Sequence, residues 1–355
     1  MNCDIKIIST GTALPHYHYT NSEVTEKAME WVKDQPEKLQ KLTKKIFESS
    51  NIKERHFISP LDTVLNPTSL TDSNERYVDA AKVLSQKALE QALIKANIDA
   101  VDIDCLITTS CTGYMIPSID VYLINHLHMR RDIRRMPITE IGCGAGASGL
   151  IYGSDFLKGH ANARVAIVSL EFPTNTIQLD DFSVENIVGN AVFADGVSCK
   201  ILSNRPEDQG LPMVDTFMHQ IPGTTELLGY CLTETGFKLT LDRRIPDVIA
   251  GNFLPVVTPF LEKNAISFEN IDDVIAHPGG IKVIDQLEDL LAEYNKNVAD
   301  SRYIMQQYGN MSSATIGFIL DRYLTNNKGK EKSLIVLSFG PGFMIHGLLF
   351  KGLVS

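Results

Sequence analysis

Apolar and polar positions alternate along the chain in two patterns that favour different elements. Short apolar runs typical of buried strands lie at residues 5–9, 105–109, 137–141 and 165–170. Longer mixed runs that favour helices lie at residues 22–49, 75–96 and 121–127 and directly after Cys143. Strands that alternate with helices predict an α/β fold, in which helices cover both faces of a parallel sheet.

The second half of the chain repeats the first at one offset of 168 residues. The matched segments are 98–107 with 266–275, 142–148 with 310–316, and 165–169 with 333–337. Three matches at one offset predict a duplicated α/β unit whose two halves stack about a pseudo-twofold axis. A turn-rich segment at 204–209 predicts that the halves comprise residues 1–205 and 206–355.

Composition narrows the class of protein and its partners. The chain has 355 residues, of which 44% are hydrophobic and 21% are charged, as expected for a folded globular protein. Its formal net charge of -10 argues against a general nucleic-acid or membrane-surface binder. There is no apolar run of about 18 residues and no signal-peptide pattern at the N-terminus. We therefore expect a cytoplasmic protein that binds neither nucleic acid nor membrane.

The cysteines form neither a disulfide framework nor a metal site. None belongs to a C-x-x-C pair, and no histidine stands at metal-ligand spacing from one. The six are Cys3, Cys105, Cys111, Cys143, Cys199 and Cys231. We expect five of them to be packing residues.

Cys143 differs from the other cysteines in its surroundings. It follows a strand-like run, and the small residues after it, Gly-Ala-Gly-Ala-Ser-Gly, open a helical run. A thiol at a helix N-terminus has a lowered pKa, because the unpaired N–H groups and the macrodipole favour the thiolate. The neighbouring glycines would let a substrate carbonyl approach the backbone. The alternative at this position is a small buried thiol with a packing role.

Two further side chains stand at element ends in the second half. His277 ends the apolar run of Val274-Ile-Ala-His-Pro-Gly-Gly280, and Asn310 stands at a helix start. Either could be a helix cap. Together with Cys143 they fit acyl transfer, in which a thiolate takes an acyl group from a thioester while imidazole and amide N–H groups stabilise the oxyanion. A cysteine hydrolase could use the same three residue types, although its water would need activation at a site walled by glycines and apolar residues.

Four segments carry a resemblance to a known family. They are Ala276-His-Pro-Gly-Gly280, Tyr308-Gly-Asn-Met-Ser-Ser313, Phe339-Gly-Pro-Gly342 and Val188-Gly-Asn-Ala-Val-Phe-Ala-Asp-Gly196. The chain resembles the type III polyketide synthases, the chalcone synthase-like branch of the thiolase superfamily. The resemblance implies a thiolase-like fold with αβαβα layers. It also implies coenzyme A thioesters as substrates and no separate cofactor.

The resemblance assigns a role to each candidate catalytic residue. Cys143 would accept the acyl group. His277 and Asn310 would bind the thioester carbonyl, drive decarboxylation of malonyl-CoA and hold the resulting enolate. His277 would also lower the pKa of Cys143 as its ion-pair partner.

The resemblance further implies a set of substrate-binding residues. Phe193 matches an aromatic gatekeeper between the coenzyme A tunnel and the cavity. Plant members carry a second gatekeeper, a phenylalanine, where this chain has Leu239, and the smaller side chain should widen the cavity entrance. Tyr230 replaces a cavity glycine and should narrow the cavity. The remaining residues implied to contact substrate are Cys111, Thr176 and Ser312. Ile116 matches the residue that reaches across a homodimer into the partner's cavity.

For the coenzyme A tail, the resemblance implies Lys45, Gly279 and Gly280. Two other phosphate-gripping positions of plant members are not basic here, so Lys44 or Arg55 is expected to substitute. The starter could otherwise arrive on an acyl carrier protein.

Three hypotheses follow. The favoured one is a type III polyketide synthase that loads an acyl starter, extends it with malonyl-CoA and cyclises the product to a pyrone, a resorcinol or a related phenolic. The second is a single-condensation enzyme similar to β-ketoacyl synthase III, which would make a linear product. The third is a catalytically silent dimeric binding protein.

Overall fold

A computed structural model describes residues 4–66 and 69–355 of the chain. The strands in these residues are β1 (Lys6–Ala13), β2 (Tyr17–Thr20), β3 (Glu54–Phe57), β4 (Cys105–Thr109), β5 (Arg134–Ile138), β6 (Arg164–Glu171), β7 (Gly196–Ser203), β8 (Leu211–Gln220), β9 (Leu228–Thr233), β10 (Gly236–Leu241), β11 (Asp273–Ala276), β12 (Glu331–Gly340) and β13 (Met344–Leu353). The helices are α1 (Asn21–Trp31), α2 (Glu37–Glu48), α3 (Leu61–Val64), α4 (Leu70–Ala96), α5 (Ile119–His126), α6 (Ala145–Gly159), α7 (Val184–Val192), α8 (Ile245–Lys263), α9 (Ile281–Leu291), α10 (Ala299–Tyr308) and α11 (Thr315–Asn326).

Nine strands form the large sheet, in the order β11-β12-β13-β8-β1-β7-β6-β4-β5. Strand β4 is parallel to β5 and β6, and β11 is parallel to β12, whereas the other neighbours are antiparallel. The prediction of a parallel sheet is therefore wrong for the middle strands, which pair antiparallel. A turn at residues 341–343 joins β12 to β13, and so short a connection permits only antiparallel pairing.

The strand pairing confirms the predicted duplication. The first half has the strand order β4-β6-β7-β1, in which the first pair is parallel and the next two pairs are antiparallel. The second half repeats this pattern in the order β11-β12-β13-β8. The offset changes locally, because the 3₁₀ turn Gly142–Gly144 before α6 matches the turn Ser312–Ala314 before α11. Cys143 therefore corresponds to Ser313 rather than to Met311. The boundary between residues 205 and 206 stays a prediction.

Among the described residues, three of the four hydrophobic clusters pack helices against the large sheet. The central core includes Leu150 of α6 and Ile319 of α11 and packs between the two halves of the sheet. Helices α4 and α5 cover the outer face of the first half. Helices α8, α9 and α10 cover the outer face of the second half. Helices α6 and α11 are thus enclosed on both sides, and the two 3₁₀ turns before them meet.

Local signals account for the element ends that differ from prediction. The predicted helix at 22–49 is two helices, since Pro36 has no N–H to donate and starts α2. Helix α4 begins before residue 75, because the Ser69 side chain caps it and forms a capping box with Asp72. Strand β5 ends at Ile138 instead of 141. Among the described helices, none combines the length and apolar character needed to cross a membrane.

Gly146 fixes how closely the two central helices approach. A Cβ atom added at this residue would lie 2.5 Å from the backbone oxygen of Ser313. Gly146→Ala should therefore lower the free energy of unfolding by about 1–3 kcal/mol, since backbone must move to admit the methyl group. Urea denaturation measures the change. Gly159→Ala, in the same helix with nothing within 4 Å of the added atom, is the matched control and should be neutral. Equal stability of the two variants would contradict the close approach.

Candidate active site

Cys143 lies in the 3₁₀ turn that leads into α6. Its Sγ atom is 3.2 Å from the Ser312 hydroxyl, which belongs to the matching turn of the second half. Its backbone oxygen accepts a hydrogen bond from the Ser338 hydroxyl at 2.8 Å. Gly142 before it has φ of +56°, a conformation that glycine adopts without strain. The two halves of the chain thus hold the thiol where they meet.

His277 follows the last residue of β11. Its backbone N–H donates to the Leu337 carbonyl at 2.8 Å, and Leu337 precedes the Ser338 that holds Cys143. The imidazole is only 2% exposed, and neither ring nitrogen has a hydrogen-bond partner among the described residues. Burial lowers the pKa of His277 to about 4, so the ring is neutral at physiological pH. Buried polar atoms are rarely left unpaired unless a ligand or water meets them.

Asn310 is held in one orientation. Its backbone N–H donates to the Val192 carbonyl at 2.8 Å, and its backbone carbonyl accepts from the Ala194 N–H at 2.9 Å. Its side-chain Oδ1 accepts from the Ser312 N–H at 2.8 Å, and Nδ2 donates to the Gly279 carbonyl at 3.1 Å. An amide nitrogen carries two hydrogens, so one N–H is left for a substrate.

The thiol is not ionised by its surroundings, contrary to the expectation from the sequence. Burial raises the pKa of Cys143 to about 12, and the Glu171 carboxyl raises it too, whereas the Ser312 hydroxyl lowers it. Burial also lowers the pKa of His277 to about 4, so the resting site does not hold the ion pair that the resemblance implied. The helix N-terminus does not compensate for the loss of water around the sulfur.

Glu171 is a site residue that the sequence analysis missed. It is completely buried at the end of β6 and accepts hydrogen bonds from the Cys111 N–H at 3.1 Å, the Thr112 hydroxyl at 3.0 Å and the Ser313 hydroxyl at 2.7 Å. Burial raises its pKa to about 7. A carboxylate directly after the apolar run 165–170 was the signal available in the sequence.

The side chains around Cys143 enclose a cavity of ≈ 20 Å³. Its walls include five residues that the sequence analysis named, which are Cys111, Phe193, Tyr230, Leu239 and Ser312. Tyr230 and Leu239 lie opposite each other in the β9–β10 hairpin. Both residues line the cavity, and the predicted effects of Tyr230 on its width and of Leu239 on its entrance stay predictions.

Comparison with known proteins identifies the family. Residues 14–215 match the model for FAE1/type III polyketide synthase-like proteins, and residues 213–354 match the C-terminal domain of chalcone and stilbene synthases. The phloroglucinol synthase of Pseudomonas fluorescens is 31% identical over 93% of this chain and 95% of its own length. The chain belongs to the type III polyketide synthase family.

Two further relatives agree with this assignment. The 1,3,6,8-tetrahydroxynaphthalene synthase of Streptomyces peucetius is 30% identical over 97% of this chain and 92% of its own length. The crystal structure of the 1,3,6,8-tetrahydroxynaphthalene synthase of Streptomyces coelicolor superposes with a TM-score of 0.93 at 26% identity, covering 99% of this chain and 100% of that one. The predicted thiolase-like fold of a type III polyketide synthase is confirmed.

Two predicted substrate residues of this type III polyketide synthase lie outside the Cys143 cavity. Thr176 lines a second, largely apolar cavity of ≈ 50 Å³, which shares Phe193, Tyr230 and Leu239 with the first. Ile116 is 77% exposed on the surface. Its role at a homodimer interface stays a prediction.

The predicted coenzyme A residues differ in their placement. Lys45 lies exposed on α2, Gly280 precedes α9, and Gly279 presents its carbonyl to Asn310. Their contacts with coenzyme A stay predictions.

Arg55 cannot substitute as a phosphate ligand. It is 1% exposed, its guanidinium donates to the carbonyls of Asn190 and Phe193, and it packs against the rings of Phe47 and Phe57. The sequence could not show that β3 turns this side chain inward.

The lowered pKa of His277 predicts a pH dependence of stability. The unfolded chain takes up a proton on this ring below about pH 6.5, whereas the folded chain does so only near pH 4. The free energy of unfolding should therefore fall by about 3 kcal/mol from this group as pH drops through that window. His277→Gln should show a shallower fall in urea denaturation at each pH. The same slope in both proteins would contradict a neutral buried imidazole.

Proposed function

We propose that this enzyme loads an acyl starter on Cys143, extends it by decarboxylative condensation with malonyl-CoA and cyclises the product. One observation carries the proposal. The Cys143 thiol contacts the Ser312 hydroxyl, and the Asn310 amide is fixed by Ser312 and by Gly279. Gly279 stands two residues after His277, whose neutral imidazole has both nitrogens unpaired among the described residues. A thioester carbonyl needs such a nucleophile and such donors.

In the loading step, Cys143 Sγ attacks the thioester carbonyl of the starter. The thiol loses its proton as the C–S bond forms, and the unpaired, neutral ring of His277 can accept that proton. The tetrahedral oxyanion is stabilised by the free N–H of Asn310. Coenzyme A then leaves as a thiol after receiving the proton from the imidazolium, and the acyl group stays on the sulfur.

In the extension step, malonyl-CoA loses carbon dioxide and leaves its electron pair as an enolate. The enolate oxygen needs donors that keep their protons, which the Asn310 amide and a neutral imidazole N–H both do. The enolate carbon attacks the acyl–Cys143 carbonyl, forms the new C–C bond and releases the Cys143 sulfur. Asn310 and His277 are 1% and 2% exposed, and such burial protects the enolate from protonation by water.

Two substitutions separate these steps. Cys143→Ala should abolish product formation but keep decarboxylation of malonyl-CoA, because the enolate donors remain. Asn310→Ala should lower decarboxylation on the order of 10²-fold to 10³-fold, since one preorganised donor is lost. Release of carbon dioxide from labelled malonyl-CoA and mass spectrometry of products measure both.

The controls for this pair are Cys231→Ala and Asn326→Ala, which change exposed residues and should leave both activities intact. Full decarboxylation by Asn310→Ala would contradict its role. A linear product of one condensation would favour the single-condensation alternative, and no extended product across acyl-CoAs from acetyl to long chain would contradict a synthase.

The lining of the second cavity favours a starter whose acyl chain is apolar. It adjoins the Cys143 cavity through Phe193, Tyr230 and Leu239 and is lined on its far side by residues of α1 that include Ala28 and Trp31. Apolar walls of this kind favour an acyl chain over a charged group.

Filling that cavity should therefore change starter preference. Ala28 is 4% exposed and lines the cavity, so Ala28→Leu should lower kcat/KM for long-chain acyl-CoA starters at least about tenfold while sparing acetyl-CoA. Ala161→Leu, at an exposed residue after α6, is the matched control. Equal losses for short and long starters would count against a tail site here.

A further inference from the structure

Lys200 is a buried cation that contacts no carboxylate among the residues the structure describes. It lies on β7, is completely buried, and its Nζ donates to the Ser169 hydroxyl at 2.7 Å, which is the hydrogen bond the structure gives it. Gly317 of α11 packs beside it, where an added Cβ atom would be in ordinary contact with Lys200 Cδ at 3.6 Å. An unpaired ammonium in a protein interior is costly, so a compensating charge is expected.

Three hydroxyls lead from Lys200 to Glu171 behind the active site. Ser169 Oγ accepts from Lys200 and also from Thr109 Oγ1 at 2.9 Å. Thr109 Oγ1 lies 3.4 Å from Ser313 Oγ, and Ser313 donates to Glu171 Oε1 at 2.7 Å. We name Ser169, Thr109 and Ser313 the hydroxyl file. All three are buried, so no bulk water screens the charges at its ends.

The contacts of Glu171 fit a carboxylate rather than a carboxylic acid. The Cys111 N–H, the Thr112 hydroxyl and the Ser313 hydroxyl all donate to it, and the Cys111 thiol is a weak fourth donor at 3.5 Å. A carboxylate accepts from all of these donors at once, whereas a protonated carboxyl would have to donate its own hydrogen to one of the hydroxyls and lose that hydroxyl's hydrogen bond. Burial opposes the ionised form, so a positive charge is needed nearby.

We propose that Lys200 is a positioning residue for the reaction: its ammonium, acting through the hydroxyl file, holds Glu171 as a carboxylate behind the Cys143 cavity. The coupling rests on the hydroxyl file between the two buried groups, and its part in catalysis rests on the proposed function. A carboxylate there fixes Cys111 and Thr112, which form the wall after β4. Its charge adds to burial, the larger cause, in raising the pKa of the Cys143 thiol.

The other titratable groups around the pair do not replace Lys200. Those that face Glu171 are Tyr77, Cys111, Cys143 and Tyr230, all neutral acids whose pKa is raised. Beside Lys200, burial raises the pKa of the Cys199 thiol to about 12, which leaves it neutral. Asp321 on α11, which packs against β1 and β7, is already bound by Thr10 and Lys95. Lys200 is therefore the cation that the hydroxyl file connects to Glu171.

Infrared titration of the free enzyme tests the coupling without any turnover. The carbonyl band of protonated Glu171 is the band that disappears in Glu171→Gln. This variant is needed because Asp195 is a second buried carboxyl whose pKa burial raises to about 7. In Lys200→Met the protonation midpoint of Glu171 should rise by about one pH unit. Ser169→Ala, which keeps both charges but removes the first link, should give a smaller rise and serves if Lys200→Met does not fold.

Activity profiles then test the positioning role. The acid limb of kcat/KM against pH should move up in Lys200→Met by the same amount as the infrared midpoint, and it should vanish in Glu171→Gln. The matched control Lys95→Met removes a lysine of the Asp321 pair and should change neither measurement. An unchanged midpoint in Lys200→Met and Ser169→Ala would overturn the coupling. If the Glu171 protonation midpoint shifts but the acid limb of kcat/KM does not, the role of Lys200 in catalysis is overturned. If the midpoint shifts in an enzyme that has no synthase activity, only the proposed function is contradicted.

Discussion

The orientation of one carboxamide is the constraint on which the rest of the site depends. Asn310 accepts from the Ser312 N–H and donates to the Gly279 carbonyl, so its oxygen and nitrogen cannot exchange places without losing both bonds. Gly279 belongs to the loop that carries His277, and the Ser312 hydroxyl meets the Cys143 sulfur. A single amide group therefore joins the loop of the imidazole to the turn of the thiol, and it still has one N–H for a substrate.

Burial sets the protonation states of the side chains in the site. The central helices are enclosed between two halves of the sheet, and the turns at their N-termini lie in the protein interior. In such surroundings the thiol and the imidazole are both neutral, as the pKa shifts of Cys143 and His277 show. Neutral donors in a low dielectric stabilise a developing oxyanion strongly and cost no reorganisation when it forms. Charge then develops only when the thioester reacts, and the nearest fixed carboxyl, Glu171, lies behind the cavity wall.

The sequence predicted what local patterns determine. Strand–turn–helix units were recognisable because apolar periodicity and glycine-rich turns are local, and Cys143, His277 and Asn310 all stand at ends of such units. What the sequence could not show depends on distant contacts. The antiparallel middle of the sheet, the inward side chain of Arg55 and the neutral state of Cys143 follow from packing between segments far apart in the chain. A helix N-terminus indicated a thiolate, but burial by the second half had the larger effect.

The proposed chemistry requires Asn310 and His277 to hold an enolate between them. A crystal structure of Cys143→Ala with a non-decarboxylating malonyl-CoA analogue tests this most directly. We expect the thioester carbonyl oxygen within hydrogen-bond distance of both Asn310 Nδ2 and a ring nitrogen of His277. A thioester bound in the cavity with its carbonyl oxygen directed away from both groups would contradict the account.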